Sequence, residues 1–320
     1  MSDFTDADVP DQRGKCFVVT GANTGLGFED AKVLAARGAR VLLACRSEAK
    51  AGQAIDRILD ASPAADVEFV PLDQADLDSV RACAERVKSE PRVDVLVNNA
   101  GVMVPPLQRT AQGHELQFGV NHLGCFALTG LLLDKLAETP GARVVVTSSL
   151  AHRRGRIDWD DLDAHRGYSR GQRYSDSKLM NLLFAVELDR RLRTAGVPVT
   201  AVACHPGIAA TDLARHLPGI ARGAWPLFGL ILNTAAKGAW PTLQAATDPA
   251  VVPAAITDRS GWVGRPANRA SRRSRRWRRI ARRHVGSGNY RSHLPASTPV
   301  CRPPDAISLT ENPRRNATTS

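Results

Sequence analysis

The sequence predicts an α/β fold: a doubly wound parallel sheet in a single domain, followed by an irregular basic tail. Three observations lead there. Six short apolar runs, at 16–20, 40–45, 67–71, 93–98, 143–148 and 199–204, alternate with longer helical patterns. A glycine-rich turn follows the first run directly. The excess charge is confined to one end of the chain. Of the net +11, residues 265–320 carry +12, with fourteen arginines against one aspartate and one glutamate, so the first 264 residues carry −1.

Each element has its own signal. The six runs are rich in Val, Leu and Ala and read as strands buried on both faces. Helical patterns lie between them, at about 25–37, 48–60, 77–89, 113–138, 174–194 and 234–247. Strand–helix alternation of this kind places helices on both faces of a parallel sheet. Residues 1–14 read as a flexible N-terminus, 15–264 as the folded domain and 265–320 as an arginine-rich tail. That tail is too poor in large apolar residues to offset its ordering entropy.

Composition narrows the function. The acidic start, Met1 to Asp11, has no apolar core of a signal peptide. The longest apolar patch noted, residues 225–232, is too short to span a bilayer, and no transmembrane segment is expected. It reads as lid or core, with a membrane-surface role as the alternative. Cys16, Cys45, Cys83, Cys125, Cys204 and Cys301 show no paired spacing, so a reducing, cytoplasmic setting is expected. His114, His122, His152 and His165 form no metal-ligand pattern, and no metal is expected. The arginine tail could bind nucleic acid in a salt-sensitive way. No reading module accompanies it and aromatics are 5% of the chain, so no nucleic-acid partner is expected.

The turn after the first strand reads Thr20-Gly21-Ala22-Asn23-Thr24-Gly25-Leu26-Gly27. Glycines there let backbone approach a pyrophosphate at a helix N-terminus, as in Rossmann-type nucleotide sites. A tight strand–helix turn needs glycine for structural reasons as well. Gly21, Asn23, Thr24, Gly25, Leu26 and Gly27 are the candidate contacts. At the end of the second strand stands Arg46, where NAD-binding chains place a carboxylate. A guanidinium suits the 2′-phosphate of NADP, with a surface arginine opening a helix as the lesser alternative. Asp73 could accept from an adenine amino group or simply start a turn.

Three further segments fall at strand ends: Asn98-Asn99-Ala100-Gly101, Ser148-Ser149, and Tyr174-Ser175-Asp176-Ser177-Lys178. Tyr174 and Lys178, at i and i+4, share a helix face. An ammonium near the phenol would lower a pKa that starts near 10 and make it a usable acid–base. Taken alone, the pair could also be an ordinary solvated face.

Together and in this order, these segments resemble the short-chain dehydrogenase/reductase family. The wording of Asn121-His122-Leu123-Gly124, Ser148-Ser149-Leu150-Ala151-His152 and Tyr174-Ser175-Asp176-Ser177-Lys178-Leu179 is closest to its retinol-dehydrogenase-like and protochlorophyllide-reductase-like branch. The resemblance covers about residues 15–264. It implies hydride transfer between NADP (NADPH) and a carbonyl or alcohol. Tyr174 would be the acid–base, and Lys178 would lower the Tyr174 pKa and bind the nicotinamide ribose. Ser149 would be the oxyanion donor, and Asn121 would hold a water linking Lys178 to solvent. Gly21, Gly25 and Gly27 would cradle the pyrophosphate, with Asn99, Ala100 and Gly101 near the adenosine side. Pro206, Gly207 and Thr211 would lie beside the nicotinamide. Residues 156–173 and 218–232 would shape an apolar substrate pocket, which implies a lipophilic small-molecule partner. A homo-oligomer is an open expectation.

Two departures stand out. Gln74 replaces the usual Leu after Asp73. Beyond Ser260-Gly261, where the branch continues with an aromatic last strand and an amphipathic helix, this chain turns arginine-rich, as a shifted reading frame or a replaced terminus would. The sheet would then lack its last edge strand. A dehydrogenase-like binding protein with weakened or no catalysis is the alternative reading.

Overall fold

The computed structural model describes residues 4–206, 234–251, 256–258 and 261–262. Strands β1 (Cys16–Thr20), β2 (Arg40–Cys45), β3 (Asp66–Pro71), β4 (Val95–Asn98), β5 (Ala142–Thr147) and β6 (Val199–Cys204) match the six expected runs within two residues. Two more follow, β7 (Ile256–Asp258) and β8 (Gly261–Trp262). The sheet order is β3-β2-β1-β4-β5-β6-β7-β8, parallel throughout except for the antiparallel β7–β8 pair. The expected bare edge at β6 is therefore corrected. Ala203 and Cys204 pair with Ile256 and Thr257, and β8 turns back on β7. These strands are two and three residues long, too short for periodicity to reveal.

Both faces of the sheet are buried because its central strands are apolar on both sides, whereas in the edge strand β3 only Val70 is buried. In β1, Cys16 and Val18 join one core with Leu42, Leu96 and Val144, while Phe17 and Val19 join the other with Val41, Leu43 and Val145. Helices α3 (Leu77–Lys88), α5 (Gly124–Ala137) and α6 (Arg170–Thr194) supply the first core. The second is covered by α1 (Gly25–Ala36), α2 (Glu48–Ala61) and α7 (Ala235–Thr247). Ser47 and Asp76 cap α2 and α3 through their side chains, accepting from Lys50 N and Asp78 N.

Two expected helices differ. The 113–138 pattern is interrupted: a short turn α4 (Leu116–Phe118) passes into a π-turn at Gly119–Leu123 before α5 begins. Helix α6 starts at Arg170, so Tyr174 sits in its second turn rather than at its head. The run Leu116–Ala137 is 22 residues with hydropathy 1.4, long and apolar enough by composition to cross a membrane, which the sequence reading overlooked. Here it is a core helix: Cys125, Leu128, Leu132, Leu133 and Leu136 are buried against the sheet and α3. The five described cysteines are all free and buried. The patch 225–232 and the tail lie outside the described residues.

Candidate active site

Strand order reverses between β1 and β4, which pair through Val19 and Val97. Open α/β sheets hold ligands at such a switch point, beyond the strand C-termini. Fully buried Thr20 ends β1 there. Its hydroxyl accepts the N–H groups of Asn99 and Ala100, each at 2.9 Å. Its carbonyl accepts from Asn99 Nδ2 at 2.9 Å. The Asn99–Gly101 turn is thereby fastened to the glycine turn. Gly21 and Gly25 take φ of +68° and +60°, which side chains rarely adopt. A Cβ at Gly27 would stand 2.5 Å from Asn99 Nδ2 and 2.6 Å from the Gly21 carbonyl oxygen. The glycines therefore permit a backbone approach that no other residue would. Helix α1 opens immediately afterwards, with Thr24 extended before it and Leu26 and Gly27 buried within it. Its first N–H groups have no intrahelical partner, which suits an anion. Asn23 and Thr24 are partly exposed on the turn.

Arg46 follows β2 with its side chain 74% exposed, and its nearest carboxylate, Asp73, is 4.0 Å away. A pair that long and exposed holds little. Asp73 is a turn former: Oδ1 accepts Ala75 N at 2.9 Å. Its other oxygen is the one near Arg46.

The second cluster lies at the end of β5. Ser148 and Ser149 differ sharply. Ser148 is buried and its hydroxyl donates to the Lys178 carbonyl at 2.7 Å. Ser149 is partly exposed, caps the 3-10 turn Leu150–Arg154 by accepting from Ala151 N, and stands where its hydroxyl acts on the Tyr174 phenol. The Lys178 Nζ is buried, 5.9 Å from the Tyr174 ring centre, and donates to the Thr147 carbonyl at 3.2 Å. Burial pushes Lys178 down to about 8. Burial also pushes the Tyr174 phenol up, opposed by the Ser149 hydroxyl. This corrects one expectation. The ammonium faces Thr147 rather than the phenol, so here the phenol is raised, not lowered.

Asn121 lies in the π-turn, fully buried. It clips the loop after β4 at both ends of one peptide pair: Val102 N donates to Oδ1 at 2.7 Å and Nδ2 donates to Val102 O at 2.9 Å. Nδ2 also donates to Ser177 Oγ at 3.0 Å. Gly101 lies between Asn121 and Lys178, since a Cβ there would be 3.1 Å from Asn121 Oδ1 and 3.5 Å from Lys178 Nζ. Pro206 follows β6 and buried His205, while Gly207 and Thr211 lie outside the described residues. Buried His122 is pushed down to about 4 and hydrogen-bonds Asn181. Among the described residues no group of His, Cys, Asp and Glu is arranged to hold a metal ion.

The sequence reading missed Thr20, Gln117 and Asp176. Asp176, partly desolvated and raised, accepts from Arg156 N, tying the insert to α6, and from Gln172 one turn earlier in the same helix. Thr20 could have been found from its place at the end of β1, whereas the other two give no local signal.

Comparison with known proteins agrees with this geometry. The family model for short chain dehydrogenases matches residues 15–219. Human retinol dehydrogenase 11 is 46% identical over 234 residues, 73% of each chain. Human retinol dehydrogenase 14 is 42% identical over 258 residues, 74% of this chain and 75% of its own. A crystal structure of an uncharacterised protein from Mycobacterium paratuberculosis is 41% identical, with a TM-score of 0.68, over 86% of this chain and 92% of that one. One from Beutenbergia cavernae, solved with NADP at low occupancy, is 25% identical with a TM-score of 0.62, over 78% and 96%. The chain belongs to the short-chain dehydrogenase family, in its retinol-dehydrogenase-like branch, and is a nicotinamide-dependent oxidoreductase acting on CH–OH and C=O groups.

Proposed function

We propose that this enzyme uses NADP to interconvert a lipophilic carbonyl compound and its primary or secondary alcohol, with Tyr174 as acid–base. The Ser149 hydroxyl beside the Tyr174 phenol, which it holds down, with the Lys178 ammonium buried 5.9 Å from the ring centre, carries the proposal. Two hydroxyls converging at a strand end can together address one substrate oxygen.

The bound nicotinamide would supply or accept the hydride. In the reducing direction, Tyr174 gives its proton to the substrate oxygen as negative charge develops there. Ser149 donates a hydrogen bond to the same oxygen. Tyr174 is then reprotonated from solvent, with the Lys178 ammonium buried beside its ring. Asn121 holds the loop at Val102 against Ser177 and so fixes the floor of the site. In the alcohol-oxidising direction the proton movements reverse. Gly21, Asn23, Thr24, Gly25, Leu26 and Gly27 would hold the pyrophosphate, Asn99 to Gly101 and Asp73 the adenosine, and Tyr174 and Lys178 the ribose. Pro206, with Gly207 and Thr211, would border the nicotinamide.

The NADP preference rests on Arg46, exposed and weakly held and therefore free to meet a 2′-phosphate. The bound NADP of the Beutenbergia cavernae structure is in keeping with it. A lipophilic substrate is in keeping with relatives named for retinol. Following NADPH oxidation by the purified protein across a panel of aldehydes and ketones tests the reading. Tyr174→Phe is expected to cut kcat by about 10²–10⁴ without unfolding the protein. A wild type inert toward the whole panel, or a Tyr174→Phe variant of near-normal activity, would overturn it.

A further inference from the structure

Val104 adopts a φ of +48°. Its side chain is β-branched and a proline follows it, so both its own sterics and those of Pro105 oppose this conformation. Something outside the segment must hold it, and the contacts identify what does. Val104 N donates to Gln117 Oε1 at 2.9 Å. The other end of the same amide is also used: Gln117 Nε2 donates to Tyr168 OH at 3.2 Å and to the Arg170 carbonyl at 3.0 Å. Tyr168 OH in turn donates to the Pro105 carbonyl at 2.8 Å. The Gln117 side chain is completely buried.

These four bonds close a ring around three elements. The first is the loop that starts at Gly101, beside Asn121 and Lys178. The second is the insert between β5 and α6. It is further tied to the 109–115 segment, with His114 Nδ1 and Glu115 N both on Asp163 Oδ1 at 3.0 and 3.1 Å. The third is the first turn of α6, one turn before Tyr174. Strained backbone persists where the surroundings over-determine it, and it concentrates at functional sites.

We propose that Gln117 is a positioning residue for the substrate: by holding Val104 in the left-handed region and locking that loop to Tyr168 and Arg170, it sets the shape of the wall that meets the substrate beyond the reacting carbon. This rests on the carbonyl–alcohol reading above and adds to it a determinant of substrate shape away from the proton-transfer groups. Rigid clamps of this kind act through substrate placement, on which the rate depends.

The test compares Gln117→Leu and Val104→Gly with wild type in NADPH-dependent reduction of straight-chain aldehydes from short to long. Gln117→Leu removes the clamp, whereas Val104→Gly removes the side chain that makes the conformation costly. Gln117→Leu is expected to change the long-to-short ratio of kcat/KM by about tenfold or more with NADPH affinity unchanged, whereas Val104→Gly, which keeps the clamp and takes positive φ freely, should change it far less. Melting temperature should fall for Gln117→Leu and hold or rise for Val104→Gly, which separates substrate placement from loss of fold. If Gln117→Leu does not fold, Tyr168→Phe, which removes only the hydroxyl linking Gln117 to the Pro105 carbonyl, decides by the same ratio. A wild-type-like ratio in a folded Gln117→Leu or, failing that, in Tyr168→Phe, or a uniform loss of activity on every aldehyde, would overturn the inference while leaving the function in place. A wild type inactive on all aldehydes and ketones would overturn the functional reading, and this inference with it.

Discussion

Replacing Lys178 by methionine should stabilise the unliganded protein while abolishing its activity. The Lys178 ammonium is 5% exposed, and burial lowers its pKa from 10.5 to about 8. A shift of about two and a half units corresponds to roughly 3 kcal/mol of disfavoured charge, at 1.36 kcal/mol per unit. The sign follows from proton binding. The unfolded lysine takes its proton below about 10.5 and the folded one only below about 8, so the folded state loses stability as pH falls from 10.5 to 8 and is penalised in full below that. Methionine matches the length of the lysine stem without the charge. It forfeits one hydrogen bond, worth about 1 kcal/mol, to the Thr147 carbonyl. That carbonyl keeps a donor, since Asn181 Nδ2 also reaches it at 3.2 Å. A net gain of about 2 kcal/mol should raise the melting temperature by roughly 4–8 °C at pH 7 for a domain of this size. Thermal unfolding at pH 7 and at pH 9.5, without nucleotide, measures it. The gain should shrink at the higher pH, because wild type is by then relieved of most of the penalty. A melting temperature unchanged or lowered at pH 7, or a gain that does not diminish with pH, would refute the reasoning.

Other substitutions separate the remaining roles. Ser149→Ala should lower kcat by about 10²–10³ as an oxyanion donor does. Ser148→Ala should cost about 1 kcal/mol of stability for its lost bond to the Lys178 carbonyl and leave kcat within a few-fold; the opposite ranking in paired kinetics and melts would reassign the two. Arg46→Asp should erase or reverse the preference for NADPH in kcat/KM, and equal efficiency of wild type with NADH would count against the proposed contact. Gln74 is buried with both amide atoms lacking a hydrogen-bond partner among the described residues, so Gln74→Leu should raise stability by about 1–3 kcal/mol in denaturant titrations. A destabilised Gln74→Leu would show that the amide has work the structure does not reveal.

The sheet was legible because its central strands are apolar on both faces and bounded by glycine, asparagine and serine. Val18 and Leu96 announce a buried strand as plainly as they pair in one. The glycine turn was legible for a related reason. Its positive φ values and the close approach of Gly27 to Asn99 exclude other residues, so the constraint is written in residue type. What escaped the sequence is held by long-range bonds with no periodic trace. Gln117 meets Tyr168 across 51 residues, and Asp176 meets Arg156 across 20, and neither glutamine nor aspartate marks its own partner. The direction of the Tyr174 shift escaped as well. The i to i+4 spacing places the lysine on the right face, but whether its charge or its burial dominates depends on where the ammonium turns, and it turns to Thr147.

The interrupted helix shows how the site itself can hide from a pattern reading. Residues 113–138 keep an unbroken apolar stripe, from Leu116 and Phe118 through Leu128 to Leu136, so periodicity reports one helix. The chain instead widens into a π-turn over Gly119–Leu123, and Asn121 lies in its middle. π-turns set within α-helices cost hydrogen-bond geometry and recur at functional sites. Here the buried Asn121 amide spends three hydrogen bonds on Val102 and Ser177, groups from two other elements. Those bonds can offset the looser turn only in the folded protein, since Val102 and Ser177 come together nowhere else. The irregularity is thus fixed by tertiary contacts, and it lies at the point where the loop after β4 meets the Tyr174–Lys178 helix.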